Sequence, residues 1–229
     1  MTLQDMEKNI VRRGALIPCK TAFIDAHTPG SNQKENFTII GPGVSENPDQ
    51  YVHIARPHGF NVGGARQPPN CVNSQHSHET AEVFFVLGGK WRFVSGENGE
   101  DGEVFLSPGD TISIPTRCFR GFENVGETEG FLFAVLGGDD PGRVTWAPYV
   151  FQKASEFGLV LLENGNLVDT AAGEELPRDV PVMPTTSAAD VQSMRRFDSK
   201  ALEGCVIKHD QRAYIESLLG HGILEAPLL

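Results

Sequence analysis

Two histidines and a glutamate stand at positions 76, 78 and 82, in the stretch Gln75-His76-Ser77-His78-Glu79-Thr80-Ala81-Glu82. Side chains on an extended chain alternate between faces, so His76, His78 and Glu82 point to the same side of one strand or strand pair. Neighbours at i and i+2 lie roughly 6.6 Å apart along a strand, which lets two imidazole nitrogens lean onto one ion while a carboxylate closes a third position. Two neutral nitrogens and one oxygen suit a divalent transition metal: Fe, Mn, Ni, Cu or Zn. A polar, solvated strand face would carry the same residues without any ion. The run that follows, Val83-Phe84-Phe85-Val86-Leu87-Gly88-Gly89, is apolar and ends in a glycine turn, so the triad leads into a buried strand.

The rest of the chain must supply the surface that holds this strand. Its 229 residues include 25 Gly and 15 Pro, dense turn punctuation between short β-branched and aromatic runs, which points to an all-β barrel or sandwich. Strands are expected at 37–40, 51–54, 60–62, 83–89, 90–94, 104–106, 111–115, 121–125 and 131–136. They are separated by turns such as Gly41-Pro42-Gly43 and Ser107-Pro108-Gly109-Asp110. One of Trp91 and Arg92 must face inward. Before the strands, residues 2–13 read as a short amphipathic helix with Thr2 as cap and Leu3, Met6, Ile10 and Val11 on one side. After them, helices are expected at 148–157, at 188–196 capped by Ser187, and at 211–219. An Asn164-Gly165 hairpin lies between, and a Pro-rich connector spans 177–186. The division is thus an N-terminal arm (1–35), a β-barrel (36–145) and a mostly helical extension packed on it (146–229).

Composition excludes several functions. The net charge of −11 comes without a basic stripe, so no nucleic acid is an expected partner. Cys19, Cys71, Cys118 and Cys205 are widely and irregularly spaced, as free thiols of a reducing compartment would be. The N-terminal residues are charged throughout, unlike a signal peptide, and no apolar run approaches the ~20 residues of a membrane span. A cytoplasmic protein without membrane partners is the expectation.

Two gapped motifs give the chain a resemblance to a known family. Asn70, His76, His78, Glu82 and Gly89 stand at the spacings of a first motif whose leading residue is ordinarily glycine. Gly109, Pro115, Arg117, Arg120 and Asn124 follow a second. From about Asn70 to Asn124 the sequence resembles the cupins, small jelly-roll β-barrels (double-stranded β-helices). Asn70 is the most plausible substitute for the first glycine, because asparagine tolerates left-handed backbone. In the second motif Arg117 replaces a glycine, and Arg120 replaces the histidine that is usually the fourth protein ligand. A guanidinium has no acceptor lone pair and cannot bind a cation.

The resemblance implies a cupin-type enzyme acting on a small carboxylate- or enol-bearing substrate by dioxygenase-, isomerase- or lyase-like chemistry. His76, His78 and Glu82 would be the metal ligands, and Arg120 and Phe84 would contact the substrate. Two roles are open for Arg120: anchoring a substrate carboxylate beside a three-ligand metal, or pairing with Glu82 across the barrel in place of the ion. The second role leaves a metal-free binding or sensing cupin. His53 or His58 could add a ligand from a neighbouring strand. An anionic small molecule and a second copy of the chain, in a homodimer, are the expected partners.

Overall fold

In the computed structural model, residues 6–211, 213–217 and 220–225 are described. The strands come in the order that the turn signals predict. They are β1 (Glu35–Ile40), β2 (Val52–Ile54), β3 (Phe60–Gln67), β4 (Val72–His78), β5 (Glu82–Gly88), β6 (Trp91–Ser95), β7 (Gly102–Leu106), β8 (Thr111–Ile114), β9 (Arg120–Asn124), β10 (Gly130–Gly137) and β11 (Val144–Trp146). After the helix α1 (Pro148–Glu156) come β12 (Leu159–Leu161), β13 (Leu167–Asp169), α2 (Ala188–Ser193), α3 (Ser199–Glu203), β14 (Val206–Ile207), β15 (Ala213–Ser217) and β16 (Gly220–Glu225). A seven-stranded sheet in the order β14-β8-β5-β10-β3-β1-β2 faces a five-stranded sheet in the order β11-β4-β9-β6-β7. The chain is an all-β jelly roll whose two large sheets are hydrogen-bonded separately, and β12-β13 and β15-β16 form two further two-stranded sheets.

The core lies between those sheets. Phe84, Val86, Ile112, Ile114 and Leu132 project from the larger sheet onto Trp91, Phe93, Leu106 and Phe122 of the smaller one, all nearly or wholly buried. Burying one such side chain contributes about 1.5–3 kcal/mol, so this layer is what holds the sheets together. Strand β6 shows the period-two rule directly: Trp91, Phe93 and Ser95 are buried, while Arg92 lies outside on Glu103 at 2.6 Å. Trp91 is therefore the residue of that pair that faces inward.

Both substituted glycine positions adopt the backbone of glycine. Asn70 has φ 61° and Arg117 has φ 57°, and these are the non-glycine residues with positive φ among those described. The left-handed turn at Arg117 is fixed from outside, since its guanidinium donates to the Ser193 carbonyl and its own carbonyl accepts from Arg195 N–H.

Several elements depart from the expected boundaries. Of the arm helix, residues 2–5 lie outside the described residues, and only Met6 and Glu7 are helical. Ile10 and Val11 are β-branched and disfavour helix, and Val11 packs with Leu16 against Phe37, Ile39, Val62 and Phe131. The segment 211–219 is corrected from helix to strand where it is described: β15 pairs antiparallel with β16. Tyr214 and Ile215 favour extended chain, and Gly220 and Gly222 penalise a continuing helix. The helix capped by Ser187 ends at Ser193 rather than Arg196, with Ser187 Oγ accepting from Asp190 N–H as expected. Besides α3 and β16, which were not expected, two elements that extend the large sheets had no sequence signal. These are β14, which extends the larger sheet beside β8, and β11, which extends the smaller sheet beside β4.

Candidate metal centre and ligand cavity

Strand β4 ends at His78, Glu79-Thr80-Ala81 turns the chain, and β5 begins at Glu82. The triad thus spans two strands that belong to opposite sheets, with the turn bringing the carboxylate back over the imidazoles. One ligand atom from each of His76, His78 and Glu82 lies within 4.8 Å of the others, and all three residues are buried. His78 Nε2 is 3.5 Å from Glu82 Oε2, and the two imidazole rings meet edge to face at 5.1 Å between centroids.

The tautomer of His76 is set by its backbone. Its Nδ1 lies 2.7 Å from the Ser74 carbonyl, so Nδ1–H donates there and Nε2 keeps its lone pair. Asn73 Nδ2 is 3.3 Å from the same nitrogen, and the shorter carbonyl contact determines where the proton sits. Behind Asn73 is a buried ion pair. Lys34 Nζ donates to Asp25 Oδ1 and, at 3.1 Å, to Asn73 Oδ1, while Asp25 Oδ2 accepts from Ser74 N–H at 3.0 Å. Residues before the first strand therefore brace the strand that carries both histidines.

Arg120 opens β9 directly opposite His76. Its Nη2 donates to Glu82 Oε2 at 2.6 Å and its Nη1 to the His76 carbonyl at 3.3 Å, with only 1 % of the residue exposed. Burial pushes the pKa values of His76 and His78 well below the usual histidine value, and the Arg120 charge adds to that direction. Both imidazoles are neutral at neutral pH. Burial also raises the Glu82 carboxyl, and Arg120 opposes that shift by charge and hydrogen bond.

The triad opens onto a narrow cavity with about 70 Å³ of water-sized space, room for on the order of five waters. Phe84, Phe122, Trp146, Phe37, Val62 and Leu136 make much of its wall apolar, and Phe84 stands beside Glu82 as the sequence placed it. Arg120 is not part of that lining. Trp146 was missed by sequence reasoning, because β11 was not foreseen. It pairs with His76 in register, with ring centroids 5.3 Å apart, and donates Nε1–H to Glu46 Oε1 at 2.6 Å. Asn73, three residues before His76, could have been found by proximity in sequence; Asp25 and Lys34 had no local signal.

The two other histidines considered as ligands, His53 and His58, lie elsewhere. His53 Nδ1 is 2.7 Å from the Thr38 carbonyl, and its Nε2 accepts from Ile17 N–H at 3.0 Å, so both nitrogens serve the backbone. His58 is exposed. Neither joins the triad.

The donor set fits a transition ion. It offers a His76 Nε2 lone pair fixed by the carbonyl behind it, a neutral His78 whose Nδ1 is buried without a hydrogen-bond partner, and the Glu82 carboxylate, whose Oε2 also accepts from Arg120. Arg120 occupies the side from which a fourth protein ligand would have to come.

Comparison with known proteins agrees with this architecture. A family model described as a cupin domain matches residues 65–136, the span from β3 to β10. Germin-like protein subfamily 1 member 4 of Arabidopsis thaliana is 32% identical over 145 residues, covering 58% of this chain and 63% of that protein. Member 5 of the same subfamily, also from Arabidopsis thaliana, is 33% identical over 144 residues, with 58% and 62% covered. The chain thus spans about three fifths of the length of these curated relatives. Among solved structures, the polyketide cyclase RemF from Streptomyces resistomycificus aligns at 17% identity and TM-score 0.44 over 65% of this chain and 96% of its own. An oxalate decarboxylase from Lactobacillus farciminis aligns at 13% identity and TM-score 0.41, covering 56% of this chain and 33% of that one.

Proposed function

The chain belongs to the cupin superfamily, and from that premise we propose that it is a small-molecule enzyme in which His76, His78 and Glu82 hold a divalent transition metal at the head of the cavity. The observation that carries this reading is the His76 imidazole. A carbonyl fixes its Nδ1 proton, which turns the Nε2 lone pair toward a buried partner histidine and a carboxylate. When bound, the ion would supply Lewis-acid polarisation of a substrate oxygen or activation of dioxygen.

The protein's own groups do the remaining work. Arg120 fixes the Glu82 carboxylate and, by charge and hydrogen bond, opposes the upward shift that burial imposes on its pKa. Phe84, Phe122 and Trp146 exclude bulk water from the cavity beside the triad, which strengthens any electrostatic contact made there. Among the described residues no lysine or arginine lines the cavity, and the Arg120 charge is directed at Glu82. An anionic substrate therefore meets positive charge only through the ion. Carboxylate- or enol-bearing substrates, turned over by dioxygenase-, isomerase- or lyase-like chemistry, belong to this metal-loaded form. The free state of all four cysteines accords with a reducing, cytoplasmic compartment, which is part of the same proposal.

The Arg120–Glu82 pair favours a second reading, in which the guanidinium stands where an ion would and the cavity binds or senses a neutral small molecule. Metal analysis of protein purified without chelator separates the two. Under the first reading wild type carries a first-row transition ion and His76→Ala/His78→Ala carries none. Equal metal in both proteins removes these residues as ligands.

A further inference from the structure

We propose that Asn36 and Gln50 form a second recognition point in the same cavity, built for a primary carboxamide or a group of the same neutral donor–acceptor pattern. It rests on the reading of this cavity as the ligand site and is independent of the metal. Both residues line the cavity. Both Gln50 amide atoms, Oε1 and Nε2, are buried without a hydrogen-bond partner, and so is Asn36 Oδ1.

Of the other polar side chains on the wall, Asn61, Ser45 and Asn73 are already engaged, and the unpaired His78 Nδ1 belongs to the triad. Asn61 Oδ1 accepts from Gly43 N–H and its Nδ2 donates to the Gly138 and Asp139 carbonyls. Ser45 donates to the Ala22 carbonyl, and Asn73 is held by Lys34. A buried polar group left unpaired costs about 1–3 kcal/mol, so three such atoms on two residues that line one cavity mark a place where a ligand completes the bonding. The unpaired set is two acceptors and one donor, the complement of a primary carboxamide with its two N–H groups and one carbonyl.

Position and charge define the ligand further. Asn36 is on β1, and Glu82 is on β5 with β10 and β3 between, so their strands are three spacings, about 14 Å, apart across the sheet, and the register places Asn36 level with Val86 rather than with Glu82. Gln50 precedes β2, at the outer edge of that sheet, where its N–H donates to the Asn47 carbonyl. The amide group thus lies away from the triad, across an apolar wall. Among the residues lining the cavity there is no lysine or arginine to hold an anion at this end.

Isothermal titration of the full chain, as purified and after chelation, with isobutyramide, isobutyrate and 3-methyl-2-butanone tests the proposal. These probes share one shape and differ in the polar group. In the chelated protein isobutyramide should bind at least tenfold more tightly than either of the others, and Gln50→Met should level the three. Equal binding of all three, no binding of any, a preference for isobutyrate, or a preference that survives in both Gln50→Met and Asn36→Leu would overturn it. Because the decisive comparison uses chelated protein, failure here leaves the metal reading intact, and a metal-free wild type leaves this one intact.

Discussion

Arg120 and Glu82 join the two sheets through the middle of the molecule: Arg120 Nη2, from the smaller sheet, donates to Glu82 Oε2, from the larger one, at 2.6 Å. The pair is buried on both sides, so neither charge is solvated if the other is lost. Arg120→Leu should cost about 3–5 kcal/mol in urea unfolding, the range for breaking a buried pair. The double variant Arg120→Leu/Glu82→Leu should cost clearly less than the sum of the single changes. Additive costs would show that the pair is not coupled. Arg120→His, which places an imidazole where a fourth ligand can form, should raise metal affinity, measured by competition with a chromogenic chelator.

The two histidines make a pH prediction with a defined sign. Burial, aided by Arg120, holds both neutral in the folded chain, whereas an unfolded histidine takes up a proton near pH 6.5. Below that pH the unfolded chain binds protons that the folded chain refuses. Stability of the chelated protein should therefore fall as pH drops through 6.5, by up to roughly 1.4 kcal/mol per pH unit for each histidine. In His76→Gln/His78→Gln that slope should flatten. An unchanged slope would show that these imidazoles do not control it.

Glu46 predicts the opposite slope. Burial pushes its carboxyl up to about 8, although Trp146 Nε1–H and Ile24 N–H both donate to it. Between the ordinary carboxylate range and that value the unfolded chain has released a proton which the folded chain retains. The Glu46 contribution to stability is thus full at low pH and lost as pH rises toward 8. Denaturation midpoints taken across this window should fall more steeply with pH in wild type than in Glu46→Gln, whatever the absolute stability of the variant. Parallel curves would remove the assignment.

The homodimer is also open to measurement. Met6, Ile10 and Ile17 are about half exposed on the N-terminal segment, and β2 ends the larger sheet with no further strand beside it among the described residues. Such surface is what a second copy would cover in a two-fold arrangement. Sedimentation equilibrium should give twice the chain mass of 24.9 kDa at micromolar concentrations. A mass at the single-chain value would withdraw the dimer.

What the sequence determined by itself was the placement of most strands up to β10, an all-β class and the spacing that brings the triad together. Those properties depend on local rules: period-two alternation, turn chemistry at glycine and proline, and the fixed spacing of His76, His78 and Glu82. The left-handed turn at Asn70 was legible for the same reason, since a backbone conformation restricts its residue locally. Tertiary structure alone decided the partner of Arg120, because residues 38 positions apart meet only when the sheets face each other. It alone brought Trp146 against His76, placed Asp25 and Lys34 behind Asn73, and left the Gln50 amide unpaired in the cavity wall. Strand periodicity says which face a residue takes; which distant side chain it meets there depends on sheet pairing and packing, which no local pattern encodes.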